Sequence, residues 1–455
     1  MTRRNFALIA TGSLTLAAED GWAQAEAILR RIKAPAFPAR DFPVTKYGAA
    51  GDGATDCTSA FQRAIEACSH AGGGRVLVPA GNFLSGAIHL KSNVNLHLLD
   101  GAVIRFSQDE KKYLPLVHTR WEGMECMNYS PFIYAFEQSN IAVTGKGVLD
   151  GQADCRHWWP WKGRTECGWK RGDPNQEPAR YKLIAMAEKD VPAADRVFGP
   201  GSFLRPQFVQ PYRCVNVLIE GVTIRNSPMW EIHPVLSQNV IVRGVHIESH
   251  GPNNDGCDPE SCTDVWIKDC YFDTGDDCIA IKSGRNRDGR RINKPSENIL
   301  IQGCVMKDGH GGVTLGSEAS GGIRNVFAED CRMDSPNLDR ILRIKTNSVR
   351  GGTIENIYMR NVTAGQVAGP AIEIDLNYEE GRAGKFPPVV RNIDVRRVTC
   401  RRSRQAFSLR GFEEAPIQGV HIEDSTFEKT DRPDVAENVK ELALVRVSVN
   451  GRAAQ

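Results

Sequence analysis

From about residue 214 onward the chain repeats one short pattern: a polar residue, usually Asn, then apolar-x-apolar, then polar residues and a small or apolar one. The copies are Asn216-Val217-Leu218-Ile219, Asn239-Val240-Ile241-Val242, Asp264-Val265-Trp266-Ile267, Asn298-Ile299-Leu300-Ile301 and Asn325-Val326-Phe327-Ala328. Asn356-Ile357-Tyr358-Met359, Asn392-Ile393-Asp394-Val395 and Gly419-Val420-His421-Ile422 continue the series, and Asn140-Ile141-Ala142-Val143 is an earlier copy. Apolar residues two apart lie on one face of a strand, so each copy predicts a strand with one buried face. Copies recur at intervals of roughly 23 to 36 residues, the range in which repeats build solenoids. Amphipathic helical patterns are absent between the strands, which disfavours a βαβ sheet or a TIM barrel. The pattern predicts an all-β parallel β-helix over residues 40–450, one coil per repeat, with strands stacked at about 4.8 Å.

Two segments break the pattern. The turn-rich run Tyr47 to Asp56 leads into Thr58-Ser59-Ala60-Phe61-Gln62-Arg63-Ala64-Ile65-Glu66, an amphipathic helix with Phe61, Ala64 and Ile65 on one face. A short helix there caps the open N-terminal end of a solenoid. The stretch Gly151 to Tyr212 is too long for a coil corner and predicts a folded loop insert. It carries Trp158, Trp159, Trp161 and Trp169 with Arg164, Arg171, Arg180 and Lys182.

The register also explains part of the cysteine content. Five positions after the first apolar residue of each copy stand Val222, Val245, Cys270, Cys304, Cys331, Val362, Val398 and Ser425. Cysteine there interchanges with valine as a small inward-facing side chain, so Cys270, Cys304 and Cys331 are read as core thiols, not disulfides. The thirteen cysteines are an odd number, and the rest remain unassigned.

Composition adds boundaries. With 41% hydrophobic and 25% charged residues and a formal net charge of +2, the 455-residue chain has no global pull toward nucleic acid or anionic membrane. Thr2-Arg3-Arg4-Asn5-Phe6, the apolar run to Ala18 and Ala23-Gln24-Ala25 form a twin-arginine leader pattern over residues 1–25. An exported protein, periplasmic or extracellular, is expected. No apolar run approaches the roughly 20 residues of a membrane span.

Aligning coils on the cysteine column brings candidate chemistry together. Six residues after Cys270 comes Asp276, followed by Asp277; six after Cys304 comes His310 within Gly309-His310-Gly311. Allowing one insertion, Asp255 of Asn253-Asn254-Asp255 joins the same column, and one coil further Arg343-Ile344-Lys345 presents two cations on one strand face. Carboxylates this close cannot all ionise freely, so at least one has a raised pKa. One protonated and one ionised carboxyl are what glycosidic hydrolysis needs. The cations suit a substrate that itself carries carboxylates. Asp276 and Asp277 both project outward only if the chain bends, which Gly275 is expected to allow by its backbone freedom.

Asn253-Asn254-Asp255, Gly275-Asp276-Asp277, Gly309-His310-Gly311 and Arg343-Ile344-Lys345, in that order, resemble the polygalacturonases of glycoside hydrolase family 28. The likeness covers nearly the whole chain after the leader. Thr119 to Gly123, His157 to Gly163 and Ser227-Pro228-Met229-Trp230 resemble the bacterial exo-acting subgroup. The resemblance implies a right-handed, pectin-lyase-like β-helix and inverting hydrolysis of α-1,4-galacturonan with no cofactor and no metal. Asp276 would be the general acid, Asp255 and Asp277 would hold and activate water, and His310 would tune the acid. Arg343, Lys345, Asn253, Lys282 and, less closely matched, Tyr378 would bind substrate. Asn254 departs from the Thr common in the family. Inversion implies carboxylates about 6.5–9.5 Å apart, whereas the coil register alone gives one strand spacing; a displacement of Asp255 by its inserted loop is expected.

The expected partner is a pectic polysaccharide or oligogalacturonide, with no nucleic acid and no membrane. Alternatives are an endo-polygalacturonase and a rhamnogalacturonan or xylogalacturonan hydrolase. Others are a calcium-dependent pectate lyase, whose elimination leaves an unsaturated product, and a non-catalytic carbohydrate-binding β-helix. The insert is expected to wall off one end of the groove, giving exo action, with its tryptophans as faces for sugar stacking.

Overall fold

A computed structural model describes residues 11–454, with side chains described from residue 21. The Thr2–Phe6 motif lies outside the described residues, and of its apolar run to Ala18 only the backbone from residue 11 is described. The chain forms a parallel β-helix. Val217, Val240, Val265, Ile299, Val326, Ile357, Ile393 and Val420 pair in unbroken parallel register, with Ile141 paired to Val217 at the N-terminal side. The expected column is equally buried: Val222, Val245, Cys270, Cys304, Cys331, Val362, Val398 and Ser425 are at most 1% exposed.

The polar residue that opens each copy has its own cause. Asn140, Asn216, Asn239, Asp264, Asn298, Asn325, Asn356 and Asn392 all adopt φ between 54° and 60°, and Gly419 takes that place in the last copy at 64°. Asn and Asp tolerate this left-handed corner because their short side chains bond locally. Their amides then bond from coil to coil, as in Asn216 Nδ2 to Asn140 Oδ1 (2.8 Å), Asn239 to Asn216 (2.7 Å) and Asn392 to Asn356 (2.6 Å). The Asn repeat is therefore both a turn device and a ladder.

A second face of the solenoid carries the site. Strands Ile279–Ile281, Val313–Gly316, Leu342–Lys345, Pro370–Asp375 and Gln405–Arg410 stack in parallel. Bridges from Val209 to Ile232, Cys257 and Ile279 extend that face toward the N-terminus.

Helix α1 (Thr11–Arg31) was not legible as a fold element. Ala25, Ile28 and Ile32 bury against the outward residues Ala142, Leu218, Ile241, Leu300, Phe327 and Tyr358 of the first face. Arg31 grips Asp264 through Nε–Oδ2 (2.9 Å) and Nη2–Oδ1 (2.5 Å), and Asn239 exchanges bonds with the Lys33 backbone. The expected cleavage signal Ala23-Gln24-Ala25 lies inside this helix. Helix α2 (Thr58–His70) is the expected cap, with Phe61, Ala64 and Ile65 buried. Helix α3 (Glu177–Glu188) belongs to the insert, and α4 (Asn286–Ile292) interrupts the repeat, where no helical pattern was expected. No helix among the described residues is long and apolar enough to cross a membrane.

The insert ends earlier than expected, because Val209–Tyr212 is a strand paired with Ile133–Phe136. Its tryptophans act mainly as anchors rather than open stacking faces. Trp158 is 2% exposed and packs edge-on to Tyr113 and Phe132, Trp161 packs on Trp158 and Phe203, and the Trp159 indole donates to Ser227 O (2.9 Å). Within the insert Cys155 and Cys167 form a disulfide, and the other eleven cysteines are buried free thiols.

Candidate active site

Asp276 and Asp277 sit at the corner that enters strand Ile279–Ile281. Gly275 is required there by close approach, not by backbone freedom: a Cβ would lie 2.4 Å from Gly251 O and 2.8 Å from His250 C. His310 N donates to Asp276 O (3.0 Å) and Asp276 N to Asn254 O (3.2 Å), so neighbouring coils fix the corner on both sides. One oxygen from each of Asp255, Asp276 and Asp277 lies within 4.8 Å of the others. The register expectation therefore holds, and the nearest oxygens lie closer than the expected separation of about 6.5–9.5 Å.

Each carboxylate has a different environment. Asp277 is fully buried: Oδ1 accepts from Thr314 Oγ1 (2.9 Å), Oδ2 from Lys345 Nζ (2.7 Å), and Arg343 Nη1 lies 3.5 Å away. Burial alone would push its pKa up, but Lys345 and Arg343 outweigh it and hold the group ionised. Asp276 keeps 17% side-chain exposure and bonds His310 Nδ1 through Oδ1 (3.0 Å), with Asn253 Nδ2 3.5 Å from Oδ2. Burial opposes ionisation here too, yet the His310 bond and charge, with Lys345 and Lys282, bring Asp276 below the ordinary range. The imidazole is raised in return, first by that bond. Asp255 is the exception: burial, then the charges of Asp276 and Asp277, push it well up against Lys282, which lies 3.4 Å from Oδ2. Its Oδ1 is buried with no protein partner among the described residues. Of the three, Asp255 is the carboxyl whose pKa is raised, as expected of at least one of them.

The other expected residues converge on the same cleft of about 420 Å³. Tyr378 lies over Arg343 and Lys345, its ring centroid 5.6 Å and 5.2 Å from their charges. Asn253 Oδ1 accepts from Arg205 Nη2 (2.8 Å). Lys282 is 3% exposed, 4.4 Å from the Trp230 ring, and flanked by Asp255 and by Glu318 at 3.6 Å, so it sits beneath the cleft floor. Sequence reasoning missed Glu122, which accepts from Arg180 Nε (2.6 Å) and Arg285 Nη1 (3.2 Å) at the cleft wall. It lies in the quoted Thr119–Gly123 segment, where its hairpin position gave no sign of what it faces. Also missed were Glu231 and Asp258, fully buried acids pushed well up by burial and by Asp255.

Three clustered carboxylates are a donor set that suits a divalent cation. Here Lys345, Arg343 and Lys282 already stand at ion-pair distance from Asp277 and Asp255, so protein cations supply the counter-charge. The arrangement combines one carboxyl pushed up, two carboxyls held down and cations facing one cleft: the parts of acid–base hydrolysis of an anionic glycan.

The family model for glycosyl hydrolases family 28 matches residues 202–448, and one for rhamnogalacturonase A/epimerase, pectate lyase-like, matches residues 42–97. A probable polygalacturonase of Vitis vinifera is 31% identical, covering 84% of this chain and 72% of the relative. An exo-poly-alpha-D-galacturonosidase of Dickeya chrysanthemi is 29% identical over 79% of this chain and 62% of its own length. The crystal structure of a hyperthermoactive exopolygalacturonase from Thermotoga maritima superposes with a TM-score of 0.91 at 48% identity, covering 94% of this chain and 96% of that one.

Proposed function

Since the chain belongs to glycosyl hydrolases family 28, we propose that its cleft hydrolyses α-1,4-galacturonosidic bonds of polygalacturonate from a chain end, releasing galacturonate. The observation that carries this is the carboxylate triad, oxygens within 4.8 Å of one another, set among cations in one cleft. Asp276 and His310 form the acid unit and share one proton. At rest it resides on the imidazole. Substrate that displaces water weakens the ion pair and favours the neutral pair, with the proton on Asp276 beside the leaving oxygen. Asp277 has its oxygens occupied by Thr314, Lys345 and Arg343, which makes it a poor nucleophile and a fixed anchor. The unpartnered Oδ1 of Asp255 is the place for an attacking water: in its ionised form, paired with Lys282, Asp255 takes one proton from that water while Asp276 gives one to the leaving oxygen, and the proton gained returns through solvent to the Asp276–His310 pair. This is single displacement with inversion, although the spacing of the carboxylates is shorter than in two-carboxylate inverting sites.

The substrate carboxylate pairs with Arg343 and Lys345 under the Tyr378 ring. A leader-directed export to the periplasm or beyond places the enzyme where pectic glycans are met. The test is digestion of polygalacturonate with and without EDTA, the first anomer read by proton NMR. We expect chelator-resistant release of β-galacturonate. An unsaturated product absorbing in the ultraviolet, or loss of activity in EDTA, would support the lyase instead.

A further inference from the structure

The cations of the cleft are almost all paired. Arg180 and Arg285 hold Glu122, Lys345 and Arg343 hold Asp277, and Arg340 holds Glu373 (2.6 Å) and Asp339 (2.8 Å). Lys162 of the insert has no carboxylate within ion-pair distance among the described residues. Its surroundings make this costly. Glu122, the acid that faces it, is already shared by Arg180 and Arg285, while Arg205, Arg164 and Arg180 add like charge. Burial first, and then those neighbours against the pull of Glu122, lower its pKa to about 8.

The position is built rather than accidental. Lys162 ends a short turn, Trp159–Lys162, next to the packed Trp158 and Trp161 rings, and Trp161 O accepts from Gln176 N (2.7 Å). Gln176 Oε1 in turn accepts from Arg205, which donates to Pro228 O, Pro252 O and Asn253 Oδ1. The side chain lines both the catalytic cleft and the adjoining hollow of about 370 Å³, and Asp276 lines both as well. Along the solenoid axis, Arg343, Lys345 and Tyr378 stand on coils after Asp276. The insert is tied to coils before it, through Ser227 and Pro228.

We propose that Lys162 is a specificity-determining residue that receives the carboxylate of the terminal galacturonate, on the opposite side of the cleaved bond from Arg343 and Lys345. This rests on the exo-galacturonase reading above. An unpaired, half-buried ammonium gains a charge-assisted bond only when an anionic sugar fills the closed end, and a neutral sugar leaves it unsatisfied. Discrimination therefore falls on the residue about to be released.

The experiment compares the wild type, Lys162→Met and Lys162→Arg on trigalacturonate and on the same trimer methyl-esterified only at the residue to be released. For Lys162→Met we expect a rise in KM of about tenfold or more on the acid, at little change in kcat, and under about threefold on the ester. Lys162→Arg should largely restore the acid substrate. Because the lysine loses its charge as pH rises through about 8, wild-type KM should climb there. Arginine, which does not titrate in that range, should flatten the climb. Equal penalties on both substrates, or an unchanged KM in Lys162→Met, would overturn the proposal alone. A wild type inactive on trigalacturonate would overturn the functional reading together with it.

Discussion

Asp276 and His310 meet at 3.0 Å on two adjacent coils, and the consequences are testable one side chain at a time. Asp276→Asn should lower kcat by about 10³-fold, the weight of one positioned acid, with no change in melting temperature. Near-normal turnover would remove the role assignment. The paired imidazole is raised above its ordinary range, so its proton is present below that value and lost as pH rises through it. The alkaline limb of kcat/KM should follow that loss. In His310→Gln the remaining proton is a carboxyl proton, and the limb should move to lower pH; a lower kcat with an unmoved limb would make His310 merely structural. Lys345→Ala has two effects, since Lys345 holds Asp277 as well as facing substrate. It should cost more on free than on methyl-esterified galacturonan, by about tenfold or more for a lost charge-assisted contact. It should also raise the Asp277 pKa; equal penalties on both substrates would exclude the carboxylate contact. The acids, His310 and the Arg343/Lys345 pair were legible because strand register converts sequence offsets into neighbours. The division of protonation between Asp255 and Asp276 was not legible. It depends on which oxygens Lys345, Thr314 and His310 reach, and no spacing rule records that.

At the scale of elements, the repeat made the strands and their register readable, down to the valine and cysteine column. The opening Asn of each copy was seen as a polar mark. Its φ near 54° to 60° and its bonds across coils follow from backbone geometry that hydropathy does not carry. Helix α1 was hidden for another reason: Trp22 and Ala25 fall within the leader pattern of residues 1–25, and Ile28 and Ile32 follow it with no repeat copy to place them. They cover an outward apolar stripe on the face that does not hold the site. Ile28 is fully buried, the Trp22 ring lies 3.7 Å from the Arg360 guanidinium, and a Cβ at Gly21 would meet the Tyr358 ring at 2.7 Å. Deleting residues 1–33 should lower the melting temperature and promote aggregation while leaving kcat nearly unchanged. Ile28→Ala alone should cost about 2 kcal/mol, at the low end for a buried isoleucine because the helix can shift to fill the gap. An unchanged melting curve in both variants would show that the helix is not anchored in solution.

Over the whole molecule, the question is what an open-ended solenoid groove admits. A bare β-helix face would accept the middle of a polymer, and nothing in the triad opposes that. The insert changes the topography. Trp158 and Trp161 pack against each other and against Tyr113, Phe132 and Phe203, and Trp159 is bonded to Ser227 O, against the expectation of open stacking faces; these contacts tie the segment to the solenoid as a wall. Lys162, Arg164 and Arg180 reach the cleft from it, whereas Lys182 turns away to the Phe198 ring at 5.8 Å. Glu122 on the Val117–Trp121/Met124–Asn128 hairpin ties Arg180 to Arg285, closing hairpin, insert and solenoid into one ring of ion pairs at that end. On the insert side the cleft of about 420 Å³ adjoins the hollow of about 370 Å³ that Lys162 and Asp276 also line, space on the scale of a chain end and not of a continuing polymer. Polygalacturonate should therefore yield galacturonate from the first minutes while viscosity falls slowly. Glu122→Gln should loosen the ring at the wall, and oligomers longer than one residue should then appear among the early products. Rapid viscosity loss with a ladder of mixed oligomers from the wild type would mean that the groove is open past the insert, whatever the triad does.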